Sequence, residues 1–195
     1  MPTSQGAQRM TCPPRCTNGF TLLELLAALT ITGVLAGIAV PAYRSARDAG
    51  TAANTEARLV ASMSDATRQA VVTGQAVVMC PTIDAASCSD GFEWTRGWIA
   101  FTDVDGNRLR SSAESIHLTE GATDHGLALI TSTGRRHLRF QPSGAVEGTN
   151  LTFTLCDSRG ARRAVSWIVG NSGRIRRARA SNNAAARCGT FLAGA

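Results

Sequence analysis

Gly19-Phe20-Thr21-Leu22-Leu23-Glu24 leads into a run, 25–43, without a single charged residue. Nineteen helical residues span about 28 Å, enough to cross an apolar core of about 30 Å with little tilt. A carboxylate at the start of such a helix needs a compensating partner. A central Asp costs about 2.5–3.5 kcal/mol to insert, and a Glu near the helix end costs less. Upstream, residues 1–19 hold Arg9 and Arg15 and no acid, which predicts a cytoplasmic N-terminus by the positive-inside rule. A secretory signal fits poorly, because the junction glycine precedes the apolar stretch, whereas signal peptidase cuts after it.

At these residues the chain resembles the type IV pilin and type II secretion pseudopilin superfamily. The resemblance implies that a prepilin peptidase cuts between Gly19 and Phe20, and that Phe20 is then N-methylated. Glu24 matches the family's helix carboxylate and Pro41 the proline at which its first helix bends. Elementary electrostatics agrees: cleavage creates an amine at Phe20, and a neighbouring subunit's Glu24 could pair with it in lipid, offsetting part of the burial cost. A plain anchor accounts for the apolar run alone, and leaves the Gly-Phe junction, the Glu spacing and the Pro unexplained.

After that cut 176 residues remain, about 150 of them beyond the membrane helix, which suits one compact domain. The expected organisation is a leader at 1–19, a membrane-spanning half-helix at 20–43, an amphipathic half at 44–74 and a β-rich domain at 75–195. In the amphipathic half, Ala57, Val60, Ala61, Met63, Ala66 and Ala70 recur three or four apart, with Glu56, Arg58, Asp65 and Arg68 between them. Pro41 removes an intrahelical donor, so a bend is expected there. Gly33 and Gly37 form a G-x₃-G pair that could let helices approach closely.

Beyond Gln75 the period changes to two. Strands are predicted at 76–80, 97–102, 115–118, 127–131, 137–141, 151–156 and 163–169, separated by turn residues such as Asp105-Gly106-Asn107 and Gly170-Asn171-Ser172-Gly173. A long helix followed by short strands implies an α+β fold, the helix packed on an antiparallel sheet. Cys80-Pro81, Trp94 through Phe101 with Asp103, Phe140-Gln141-Pro142-Ser143-Gly144 and Cys156 also resemble the minor pilins of FimT and GspH type.

Cys12 and Cys16 fall in the leader; Cys80, Cys88, Cys156 and Cys188 fall in the exported part. An even count in an oxidising compartment reads as two disulfides. Three pairings are possible, and proximity favours Cys80–Cys88 with Cys156–Cys188. Zinc is disfavoured, because no CxxC pair or His-x₃₋₅-His accompanies these positions. Asp103, Asp105, Asn107 and Glu114 invite a calcium reading, but an EF-hand loop needs Gly at its sixth position and Arg108 stands there; a hairpin turn explains the same residues. His117, His125 and His137 accompany no recognisable nucleophile, and neither a G-x-S-x-G elbow nor an HExxH motif occurs. The expectation is a binding or assembly protein, with no catalytic residues, no metal and no cofactor.

Every basic residue apart from histidine is arginine. Segment 156–195 holds eight arginines against one acid, a local +7 when the whole chain is +6, so the remainder sums to −1. Arginine suits phosphate because its planar fork bonds two oxygens and stays charged. The patch has no aromatic between Trp167 and Phe191, so backbone contacts with little sequence preference are predicted rather than base stacking. Gly173-Arg174-Ile175-Arg176 is similar to the G-R-x-R signature of FimT-type minor pilins that bind DNA in natural transformation. That likeness implies phosphate contacts at Arg174 and Arg176, with Gly173 serving the turn; charge alone adds Arg177 and Arg179, placed beyond the last predicted strand. The expected partners are DNA, other pilins, prepilin peptidase and the inner membrane, with the C-terminal domain in the periplasm. The rival reading is a structural pseudopilin of GspH type in a type II secretion system.

Overall fold

The computed structural model describes residues 20–193, so Cys12, Cys16 and Gly19 lie outside the described residues. The chain divides into one unit ending at Ala42 and a second beginning at Tyr43. Helix α1 (Leu22–Thr73) carries Pro41 within it. Its first unit is apolar, with an 18-residue window of mean hydropathy 2.1, long enough to cross a membrane. Thr21 caps it: the Thr21 hydroxyl accepts the Glu24 backbone N–H at 3.2 Å, so Thr21-x-x-Glu24 stands where a capping box would. An acid in the first turn also faces the positive end of the helix dipole.

In the second unit, α1 is followed by β1 (Val77–Pro81), β2 (Trp98–Thr102), β3 (Ile116–Glu120), β4 (Leu127–Thr131), β5 (Leu138–Phe140) and β6 (Leu151–Asp157). A short 3₁₀ turn (Ala161–Arg163), β7 (Val165–Val169), β8 (Ile175–Arg179) and helix α2 (Asn182–Ala193) complete it. The strands form two antiparallel four-stranded sheets, ordered β3-β2-β1-β5 and β4-β6-β7-β8. The fold is α+β, as its residue patterns imply, with two sheets where one was expected.

Both sheets turn one face to a shared core under α1. Met79, Trp98, Leu129, Phe140 and Phe153 meet Leu59, Met63 and Ala66 of the helix there. Each fully buried large side chain contributes roughly 1.5–3 kcal/mol of transfer free energy. Trp94 stands edge-on to Phe153 at 4.8 Å between centroids, and the Trp98 indole N–H donates to the Ser62 hydroxyl at 3.0 Å. The helix stripe differs from the expected one. Ala57 and Ala61 are exposed, and the buried face is Ala52, Thr55, Leu59, Ser62, Met63, Ala66 and Ala70. Two hydroxyl residues sit inside that face, and Ser62 is there to satisfy Trp98, so hydrophobicity alone misplaced it.

At β1, β2 and β4 the far faces are buried as well, so these strands show no alternation in burial. Val78, Cys80, Ile99 and Phe101 pack together behind the first sheet. Ala128, Ile130, Cys156 and Ala164 are covered by Ala185 and Cys188 of α2 behind the second. Disulfides join Cys80 to Cys88 and Cys156 to Cys188, with Cα atoms 5.5 and 6.1 Å apart. The arginine patch does not lie beyond the last strand. It is a strand: β8 pairs with β7 from Val165↔Arg179 to Val169↔Ile175 and forms the sheet edge.

Candidate nucleic-acid interface

The turn between β7 and β8 is built on Gly173. Its φ of +78° belongs to the region L side chains avoid, and an added Cβ would collide with the Gly144 carbonyl oxygen. The Gly170 N–H donates to the Arg174 carbonyl at 2.9 Å, and the Gly173 N–H to the Gly170 carbonyl at 3.0 Å. The Val146 N–H donates to the Asn171 carbonyl at 2.8 Å. Two motifs distant in sequence, Gln141-Pro142-Ser143-Gly144 and Gly173-Arg174-Ile175-Arg176, are therefore docked on each other.

Strand alternation then divides the arginines. Ile175, Arg177 and Arg179 share one face of β8 and Arg176 points to the other, with Arg174 immediately before the strand. Ile175 packs on the core beneath α1, and Arg177 reaches Glu56 of that helix with Nε–Oε2 at 2.8 Å and Nη2–Oε1 at 3.3 Å. The hydrogen bond to Glu56 raises the Arg177 pKa above its ordinary value. Arg174 and Arg176 are exposed, and neither side chain has a hydrogen bond or ion pair among the described residues. So the arginines are neighbours in sequence, but Arg176 is divided from Arg177 and Arg179 by the strand.

A second basic cluster is assembled by the fold. Arg108, Arg135, Arg136, His137 and Arg139 surround Glu147 at a cavity of about 310 Å³. Arg139 donates to Asp103 at 2.7 Å and to Glu147 at 2.8 Å; Arg108 pairs with Glu147, and Arg136 with Asp90 at 2.8 Å. Arg135 donates to the carbonyls of Glu147 and Thr149. Burial, with Arg108 and Arg135 nearby, depresses the His137 pKa. These guanidinium groups are occupied with tying loops together. The one sequence signal was the run Arg135-Arg136-His137 before β5.

Asp103, Asp105 and Glu114 bring carboxylate oxygens within 4.8 Å of one another. All three already accept hydrogen bonds, Asp105 from the Asn107 N–H at 3.0 Å. Asp103 accepts from Arg139 and from the Arg108 N–H, and Glu114 from the Val104 and Ser111 N–H groups at 2.9 and 2.8 Å. The carboxylates organise the β2–β3 connection, which runs over 103–115 rather than closing as a tight Asp-Gly-Asn hairpin. At the other end of the chain, Phe20 precedes α1 and is exposed, and Glu24 is exposed in its first turn.

A long helix with an apolar, capped start, followed by antiparallel sheets, defines the type IV pilin-like class of minor pilins and pseudopilins. Residues 57–173 match the family described as Type II transport protein GspH, and residues 14–40 match the prokaryotic N-terminal methylation motif. The first match covers more than half the chain, which belongs to the GspH family. Among solved structures, the type IV minor pilin FimU of Pseudomonas aeruginosa is similar at 18% identity and a TM-score of 0.46, over 66% of this chain and 90% of that one. The minor pseudopilin EpsH of the Vibrio cholerae type 2 secretion system is similar at 15% identity and a TM-score of 0.43, over 68% and 96%. No curated protein sequence matches this one.

Proposed function

We propose that this chain is a minor type IV pilin that binds extracellular DNA through Arg174 and Arg176 and serves DNA uptake in natural transformation and pilus biogenesis. The observation that carries this reading is two exposed arginines, their side chains without partners among the described residues, set at the start of an edge strand by a turn only glycine can make. Unpaired guanidinium groups bring their full charge to a phosphate and need break no internal bond to do so. Arg177 is paired with Glu56 on the opposite face and takes no part in this surface.

Assembly rests on the other end of the molecule. Pilin-like proteins assemble with other pilins after prepilin peptidase has acted. For this chain the cut is proposed between Gly19 and Phe20, followed by N-methylation of Phe20 and pairing of Glu24 with the new amine of a neighbour. The apolar half of α1 would then sit in the inner membrane, and the Tyr43–Ala195 unit in the periplasm.

The test is DNA binding by the full-length chain in nonionic detergent at low salt. Binding that Arg174→Ala with Arg176→Ala removes, at an unchanged melting temperature, supports the reading; no binding at low salt ends it. The GspH match favours a second reading, a structural pseudopilin of a type II secretion system. That reading expects the double variant to leave secretion intact and DNA to be ignored.

A further inference from the structure

We propose that a cleft on the opposite face of β8, formed by Arg159, Arg162, Arg163, Arg177 and Arg179 against α1, is a second phosphodiester-binding site. It rests on the DNA reading above and extends it to a different surface. The cleft measures about 380 Å³, and Ala49, Ala52, Ala53 and Glu56 of α1 form its wall.

Register brings its arginines together from two places in the chain. The Ala180 N–H donates to the Ala164 carbonyl at 3.2 Å, and Val165 lies opposite Arg179. The arginines of the 3₁₀ turn, Arg162 and Arg163, therefore stand beside the end of β8. Two of the five cations are compensated: Arg159 by Asp157 at 2.5 Å and Arg177 by Glu56 at 2.8 Å. Arg162, Arg163 and Arg179 are exposed, with no hydrogen bond or ion pair from their side chains among the described residues. One further acid, Asp48, accepts the Ser158 hydroxyl nearby. Five arginines against three acids leave +2.

Net positive charge in a concave site walled largely by alanines focuses the field on an anion, and a guanidinium fork matches phosphate oxygens. Because β8 is an edge strand, its two faces meet at a free border. A duplex lying along that border would be held by Arg174 and Arg176 on one side and by this cleft on the other.

The experiment is a fluorescence-anisotropy titration of the full-length chain in nonionic detergent with a labelled random-sequence duplex, repeated across salt concentrations. Arg162→Ala with Arg163→Ala should weaken binding by about tenfold or more and reduce the slope of log K against log salt by about 1.8. Glu56→Gln should tighten binding, because it frees Arg177 and removes the acid in the cleft; damage to packing alone would not do that. Wild-type affinity and slope in the Arg162/Arg163 variant, with loss in the Arg174/Arg176 variant, overturn the second site and leave the DNA reading standing. Absence of binding by the wild type removes both. Loss of binding to anionic lipid vesicles with DNA affinity unmoved reassigns the cleft and overturns the proposal.

Discussion

Gly173 is held by two independent constraints, its backbone conformation and the carbonyl of Gly144 where a side chain would go. Gly173→Ala should therefore cost on the order of 1–3 kcal/mol, read as a lower denaturant midpoint, and should also weaken DNA binding by displacing Arg174. An alanine variant of wild-type stability would show that the turn is not so constrained. Glu147 offers a pH test. The Arg139 hydrogen bond, and then Arg108, hold its folded pKa below the ordinary 4.5. A depressed carboxylate contributes stability that is complete above the unfolded pKa and lost as pH falls toward the folded one. Melting temperature should thus drop on acidification below about pH 4.5, and Glu147→Gln should flatten that part of the profile. An unaltered acid limb in the variant would argue against the assignment.

At the scale of elements, β8 and α2 were the parts hidden in the sequence. Ile175-Arg176-Arg177-Ala178-Arg179 has hardly any apolar alternation, because an edge strand with a charged outer rim needs little of it. Helix α2 docks through small side chains, Ala185 and Cys188 with Leu192 beside them, so no hydrophobic stripe announces it. Strands such as β4 were readable because apolar residues fill both of their faces between turn residues. The G-R-x-R pattern was readable too, but the separation of Arg176 from Arg177 is not, since it depends on the segment being a strand. The approach of Arg163 to Arg179 likewise follows from β7–β8 register and from nothing local. The Cys156–Cys188 bridge fastens α2 across a separation of 32 residues. Cys156→Ser with Cys188→Ser should cost about 3–4 kcal/mol in chemical denaturation and speed hydrogen exchange in α2. Unchanged exchange there would mean that packing alone secures the helix.

At the scale of the whole molecule, one chain carries both a helix long and apolar enough to cross a membrane and a cation-bearing sheet edge. On co-expression with a prepilin peptidase the product should begin at Phe20, which N-terminal sequencing checks, and Glu24→Leu should reduce incorporation into fibres while leaving the cut in place. A product still beginning at Met1 would contradict that half of the account. The other half is tested most directly by the salt dependence of DNA affinity in the full-length chain. With four phosphates neutralised, two by Arg174 and Arg176 and two by Arg162 and Arg163, affinity should fall about a hundredfold between 50 and 200 mM salt, with a slope of about −3.6, and Arg174→Ala with Arg176→Ala should bring the slope to about −1.8. A wild-type slope near zero, or a slope the double variant leaves unchanged, would contradict it.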